Sequence, residues 1–431
     1  MEKGSGPFAN AELCTQCGYC LPVCPTYRVE NNELHAPRGR ISVILALQSG
    51  TLTIGEAAAA LDHCLLCRAC HTACPAGVRP AKLALLLRTL IPPRPTVWNR
   101  LLHHVTNSHR LTAHLAALLR LYQKSGVQRV VRRRRLLRLL PPLARMEALI
   151  PRHRMEAPPF PPFPAHSGLP GLPRIGLLCG CMARLFFPGV APSAAQLLAL
   201  WGVEVCLLEG FGCCGAPFRE AGDRKGFLHR ARRTLDAFLA AGPLQAVVCD
   251  SSVCAVTARR YARALADDAT YAAAARDFSA KVQPLSPFLV KGVGKPTVLP
   301  KNPGFGHITY HDHCQARHGL GIMQDPRGLL TALPVVYHEL WPPDETVPDG
   351  CCGAGGDYQL RHPVRSQKIR EQKLAAIHAC GAEVVVGENP GCLLHIAAGL
   401  EKTGSAVQVR HLAEILYAAY SLQQPTHKVP P

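Results

Sequence analysis

The sequence predicts a multidomain chain that joins α+β to α/β architecture: a helical cysteine-rich N-terminal domain, a helical basic linker, and two duplicated α/β domains. Three observations carry this. Eight of the 20 cysteines fall in two tight groups before residue 90, none lies between 91 and 173, and twelve lie beyond 174. Past residue 174, cysteine motifs recur at a nearly constant offset. In the same region short β-rich runs alternate with helical stretches, the pattern of parallel α/β units. The expected boundaries are 1–90, 91–173, 174–290 and 305–422.

Of the 431 residues 48% are apolar, enough for several buried cores and unlike a disordered chain. A chain of this size does not need disulfides to fold. Its N-terminus, MEKGSGPFANAEL, has no apolar segment of the secretory kind, and no run of 18 uncharged apolar residues follows, so neither a signal peptide nor a membrane span is expected. The cysteines are therefore expected in a reducing cytosol, where metal binding or redox chemistry outranks cross-linking.

The first group reads CTQCGYCLPVCP (Cys14, Cys17, Cys20, Cys24) and the second CLLCRACHTACP (Cys64, Cys67, Cys70, Cys74). Both fit C-x2-C-x2-C-x3-C-P, in which three thiolates wrap one [4Fe–4S] cube and the fourth ligates the other. Cys14, Cys17, Cys20 and Cys74 are thus assigned to one cluster, and Cys64, Cys67, Cys70 and Cys24 to the other. The fourth cysteine is expected to begin a helix. Zinc with eight thiolates is the rival reading, but zinc usually takes C-x2-C pairs set well apart. Gly18 and the small Ala69 are read as occupying matching places in the two motifs and are expected to leave room beside sulfur. Arg68 is expected to be exposed.

The linker holds 14 Lys or Arg against one acid, Glu147, between 91 and 154, so this stretch supplies +13 of the net charge of +19. Amphipathic helix is expected over 97–121 and 130–140, interrupted at Pro141-Pro142, and 158–173 is expected to be a semi-rigid spacer. Arg132 to Arg135 beside Leu136, Leu137, Leu139 and Leu140 is a mix suited to an anionic surface; a solvated helix face is the plain alternative.

In the last region Cys213-Cys214-Gly215 recurs as Cys351-Cys352-Gly353 and Cys254 as Cys392, both 138 residues on, while Cys181 recurs as Cys314. Strands are expected at 175–178, 203–207 and 246–248, then at 308–310, 335–338 and 383–386. Helices are expected near 193–200 and 224–240, then near 366–380 and 412–420. The thiols follow the strands, where open α/β sheets place their sites. Each half thus offers four candidate thiols: Cys181, Cys213, Cys214 and Cys254, then Cys314, Cys351, Cys352 and Cys392. Cys179, Cys206, Cys249 and Cys380 have no counterpart and read as buried small hydrophobes, with Cys249 notable for lying two residues before Ser251. His311 and His313 lie at a strand end beside Cys314; they are not both expected to face that site, and His313 reads as structural. No G-x-G-x-x-G follows a strand, CGAGGD (352–357) lacks that spacing, and GVGKPT (292–297) lacks the phosphate-loop spacing.

The segments CTQCGYCLPVCPTY, ELHAPRGRI (33–41) and LDHCLLCRACHTACPAGV (61–78), with the later CCG halves, resemble the iron–sulfur subunit of bacterial glycolate oxidase. The resemblance covers the chain outside the basic linker, and PRGR (37–40) with CPTY favours the glycolate member over the similar subunits of lactate and glycerol-3-phosphate dehydrogenases. It implies two [4Fe–4S] clusters, FAD-containing glycolate oxidase subunits as partners, and delivery of electrons to a membrane quinone pool. It implies a cytoplasmic protein, peripheral at the inner face of the cell membrane, that does not oxidise substrate alone. Nucleic acid is not an expected partner. The related heterodisulfide reductase subunits hold clusters through CCG motifs ending in C-x2-C; here Ser251 and Asn389 stand where the first of those cysteines would be. A four-thiol cluster in one or both halves, a degenerate cluster and a thiol relay all stay open. Two rivals of other classes are a stand-alone thiol–disulfide reductase and a zinc-stabilised scaffold.

Overall fold

A computed structural model describes residues 7–91, 109–150, 171–208, 210–291, 298–340 and 350–421, with 294 and 296. The N-terminal unit is helical. Pro25–Glu30, Pro37–Gln48 and Pro80–Leu90 each open on proline, which is preorganised for the first helical position and gives up a donor that would go unused there. Ile54–Leu61 starts on a reciprocal Thr53–Glu56 capping box. Ile41, Ile44, Leu61 and Leu87 fill the core between them.

The two cysteine loops share a backbone. Gln16 and Gly18 take φ of 57° and 85°, and Leu66 and Arg68 take 56° and 68°. The residue matching Gly18 by place and conformation is therefore Arg68, not Ala69. Cys24 caps Pro25–Glu30 as expected. Cys74 does not begin a helix: Pro75 leads into a turn through Gly77, at φ 69°, and helix resumes only at Pro80.

The described linker runs through His109–Lys124, Val127–Arg133, a 3-10 turn at Leu136–Leu139, and Pro141–Glu147. The helix expected over 130–140 stops early, because Arg135 turns left-handed at φ 50°. Residues 97–108 of the other expected helix and most of the Pro-rich spacer lie outside the described residues. Arg132 is not part of a free basic face. Its guanidinium donates to the Glu147 carboxylate at 2.8 Å, to Glu401 at 3.0 Å, and to the Glu147 carbonyl at 2.8 Å, tying the linker to the last domain.

Two four-stranded sheets follow, both wholly parallel. The first comprises β1 (Arg174–Leu178), β2 (Glu204–Leu207), β3 (Ala246–Cys249) and β4 (Val282–Pro284) in the order β2-β1-β3-β4. The second comprises β5 (His307–Tyr310), β6 (Val336–His338), β7 (Val384–Gly387) and β8 (Gln408–His411) in the order β6-β5-β7-β8. Strands β4 and β8 escaped the sequence reading. One is three residues ending in proline and the other is a half-polar edge, so neither shows an apolar run.

The duplicated sheets share one core. Helix Val190–Leu200 packs on Leu412–Tyr420, and Leu285–Lys291 packs on Gln324–Thr331, which are equivalent pairs with the domains exchanged. Ile175, Leu177 and Val248 of one sheet join Ile308, Val384 and Val386 of the other in a single buried cluster. The equivalent residues Ser251 and Asn389 meet on this pseudo-two-fold axis, the serine hydroxyl donating to the Asn389 amide oxygen at 3.4 Å.

Candidate functional site

Folding brings the N-terminal cysteines around two cavities. One is lined by Cys14, Cys17, Cys20 and Cys74. The other is lined by Cys24, Cys64, Cys67 and Cys70. Cys70 borders both. The helix cap and the turn that follow the fourth cysteines carry each across to the opposite cavity. Soft thiol donors converging in fours on a small hollow fit a [4Fe–4S] cluster.

Arg40 lies between the loops, only 3% exposed. It donates to Cys24 Sγ at 3.8 Å, to the Thr26 hydroxyl at 2.9 Å, and to the His63 carbonyl at 3.2 Å. Burial works against its charge, but the Cys64 and Cys24 sulfurs outweigh burial and hold the guanidinium above its ordinary range. The PRGR stretch thus places a permanent cation against a pocket that would hold an anionic thiolate cluster, a role the motif alone did not reveal.

The candidate thiols of each half also converge. In the first half Cys181 contacts Cys213, which contacts Cys214, which contacts Cys254. The second half repeats this chain through Cys314, Cys351, Cys352 and Cys392. Both CCG glycines are left-handed, at φ 82° and 86°, and each amide donates to the first sulfur of its pair at 3.4 Å. A Cβ on Gly353 would lie 2.6 Å from the Ser366 carbonyl, so only glycine fits that turn.

The two sites differ electrically. Hydrogen bonds from Cys181 and Cys214 hold Cys213 well below the ordinary thiol range, with Arg230 nearby. The corresponding Cys351 lies well above that range: the hydrogen bond with Cys314 lowers it, but the one with Cys352 and burial outweigh that. Lys373 lies buried beside that site; burial brings its amine down to about 8 despite Asp312 and the neighbouring sulfurs. Of the unmatched cysteines, Cys179 and Cys249 are buried, whereas Cys206 and Cys380 are half-exposed, contrary to expectation. His313 is structural: its Nε2 accepts the Glu388 amide at 2.8 Å. His311 takes the other direction and reaches Cys352 and Cys392.

The N-terminal unit docks on the second domain. Gln315 donates to the Leu66 carbonyl at 3.1 Å, Arg361 to Asp62, and Arg365 to Glu30 and His63. This seating packs Cys67 with Cys351 in one apolar cluster. Arg68 is not exposed. It sits half-buried with Cys314, Glu220 and Cys67 around it, and burial lowers its pKa.

A thiol-lined two-cavity domain, seated through one cysteine loop on a second thiol site, defines an iron–sulfur electron-transfer protein. Comparison with known families matches residues 10–78 to the 4Fe-4S dicluster domain, 93–150 to the linker region of the glycolate oxidase iron-sulfur subunit, and 175–258 and 308–397 to the cysteine-rich domain. The chain is 32% identical to the probable glycolate oxidase iron-sulfur subunit of Bacillus subtilis (strain 168), over 94% of this chain and 93% of the relative. It is 27% identical to the glycolate oxidase iron-sulfur subunit of Escherichia coli (strain K12), with the same coverage. Lactate utilization protein A of Shouchella clausii is 30% identical over 56% of this chain and 98% of that relative.

The chain belongs to the family of glycolate oxidase iron–sulfur subunits, and its dicluster domain carries two [4Fe–4S] clusters. The basic linker, which the motifs left outside the resemblance, belongs to the family as well.

Replacing Arg40 with Met should lower the reduction potential of the nearer cluster. Coulomb's law at an effective dielectric of about 20 puts the drop on the order of 100 mV. An EPR-monitored redox titration reads it; an unchanged potential would mean that the guanidinium charge is screened from the cluster.

Proposed function

We propose that this chain is the electron-transfer subunit of a glycolate-oxidising complex. An FAD-containing partner converts glycolate to glyoxylate, releasing two electrons and two protons. The electrons pass singly through this subunit to a membrane quinone, which takes up two electrons and two protons. The observation that carries the choice of glycolate over lactate is coverage: the glycolate oxidase relatives align over 94% of the chain, and the lactate utilization relative over 56%.

The residues divide the task as follows. Cys14, Cys17, Cys20 and Cys74 hold one cluster, and Cys64, Cys67, Cys70 and Cys24 hold the other. When bound, the two clusters supply one-electron redox chemistry. Cys17 is exposed, with Tyr19 and Leu13 beside it, and forms the outward end where a partner makes contact. Cys67 forms the inward end, packed on the same buried cluster as Cys351. Electrons therefore have a path into the second cysteine-rich domain, where paired thiols bind iron or cycle in thiol redox chemistry.

The linker provides a surface for the membrane's inner face. Arg133, Arg134, Arg135 and Arg138 are exposed together with Leu136, Leu139 and Leu140, and an exposed leucine edge rimmed by arginine suits an anionic lipid interface. Among the described residues no helix is long and apolar enough to cross a membrane.

Three measurements test this reading. The purified chain should not turn over glycolate with an artificial acceptor until the flavoprotein is added; turnover by the chain alone would sink the subunit role. Cys74→Ser should damage the cluster held by Cys14, Cys17 and Cys20, and Cys24→Ser the other, as read by iron content and EPR; lesions confined to each residue's own motif would refute the exchanged ligands. Changing Arg133, Arg134, Arg135 and Arg138 to Gln should weaken sedimentation with anionic vesicles on the order of 100-fold or more, since each basic residue near such a surface contributes roughly 1 kcal/mol. Salt-insensitive binding, unchanged in that variant, would reject the membrane surface.

A further inference from the structure

The second cysteine-rich site contains a donor that the repeat does not predict. His311 follows β5, and its amide donates to the Val386 carbonyl at 2.8 Å, which fixes the backbone and the direction of the ring. The ring is 1% exposed, and neither nitrogen has a hydrogen-bond partner. A buried imidazole left so is costly unless something accepts or binds its nitrogens. One ring nitrogen and the Cys352 and Cys392 sulfurs all lie within 4.8 Å of one another. Cys351 and Cys314 continue the same line of touching thiols.

The first domain supplies the control. Strand registers pair Leu178 with Cys249 in one sheet and Tyr310 with Val386 in the other, which makes Leu178 the counterpart of His311. Leu178 is fully buried and offers no donor. The two domains share four thiols each; among the described residues, the group of metal-type donors within 4.8 Å of one another is His311, Cys352 and Cys392 of the second. Asn389, three residues before Cys392, offers no thiol; its amide donates to Cys392 Sγ at 3.2 Å.

We propose that the second cysteine-rich domain binds an iron–sulfur centre through Cys314, Cys351, Cys352, Cys392 and His311, with the imidazole as the fifth ligand. This rests on the reading of that domain as part of the electron path. Five soft or borderline donors exceed the four that a structural zinc ion takes, and imidazole is an established iron–sulfur ligand alongside thiolate. Bound metal would also give the orphaned ring nitrogen its partner. Cys67 and Cys351 pack on one buried cluster, which puts the site next to a cluster-binding loop, as a redox centre requires and a zinc staple does not.

The test uses the full chain, prepared anaerobically with 14N- or 15N-histidine. The expected wild type carries iron and sulfide beyond the roughly eight of each that two cubanes take. It also shows a signal whose nitrogen hyperfine coupling changes with the histidine isotope in pulsed EPR. His311→Leu, which installs the first domain's residue, should abolish that coupling and lower the additional iron while leaving both cubane signals intact. His311→Cys should restore the iron without the coupling. A histidine coupling that survives in His311→Leu, iron at the two-cubane level in wild type and variant alike, or zinc in place of the additional iron would each overturn the assignment. Absence of the cubane signals from wild type would instead sink the electron-transfer reading on which it rests.

Discussion

Each four-stranded sheet is too small to bury its faces alone, and the fusion of the two into one core is the constraint on which the rest depends. Ile175, Leu177 and Val248 of one sheet lie in the same buried cluster as Ile308, Val384 and Val386 of the other. Polar ties follow the same axis. The Ser286 amide and hydroxyl donate to Glu388 at 2.9 and 2.7 Å, and the His411 ring contacts the Asp250 carbonyl at 2.8 Å. Burial pushes Asp250 up to about 7, against the Gly180 amide that its carboxylate accepts. Because the loops after β3 and β7 meet at this axis, Ser251 and Asn389 face each other. The positions lacking a fifth thiol in each domain are thus drawn into a domain–domain contact.

That fused pair gives the N-terminal unit a rigid surface, and docking breaks the symmetry between the duplicated halves. Gly355, in the CCGAGG stretch, comes so near Leu65 that a Cβ there would collide with it. Leu65 lies between Cys64 and Cys67, so the glycine lets a cysteine loop close on the second thiol site. The first domain has Pro217 in the corresponding stretch, and its contact with the N-terminal unit lies elsewhere, where Arg88 donates to the Glu220 carbonyl at 3.1 Å. Cys351 of the second site thus shares a buried cluster with Leu65 and Cys67 of a cysteine loop.

Crowded sulfurs in a water-poor interior require positive charge, and the chain supplies it from several elements. Arg40 faces Cys24, Arg68 faces Cys314 and Cys67, Arg230 faces Cys213, and Lys373 faces Cys352. Opposite charges at close range in a medium of low dielectric favour bound thiolate over free thiol. Arg132 does a different job, since its partners are carboxylates and carbonyls that anchor the linker. The basic excess of the chain thus has three separate uses: balancing sulfur, joining segments, and presenting a charged surface.

The sequence by itself determined the N-terminal cysteine loops, the duplication, six of the eight strands and the four-thiol set of each half. These features are written in local spacing: two-residue gaps set the loop, alternation of apolar runs sets the β–α units, and a 138-residue offset exposes the repeat. The edge strands β4 and β8 carried no such pattern, because pairing with a neighbour rather than burial of an apolar run makes them strands. Arg40, Arg68 and Arg132 were visible as charges, but their partners lie far along the chain, and spacing says nothing of contacts made at that distance. Strand alternation would set residues two apart on one side, but β5 ends at Tyr310, so spacing does not say which of His311 and His313 faces the thiols. Only tertiary structure decided that, by giving His313 the Glu388 amide and leaving the His311 ring with the sulfurs.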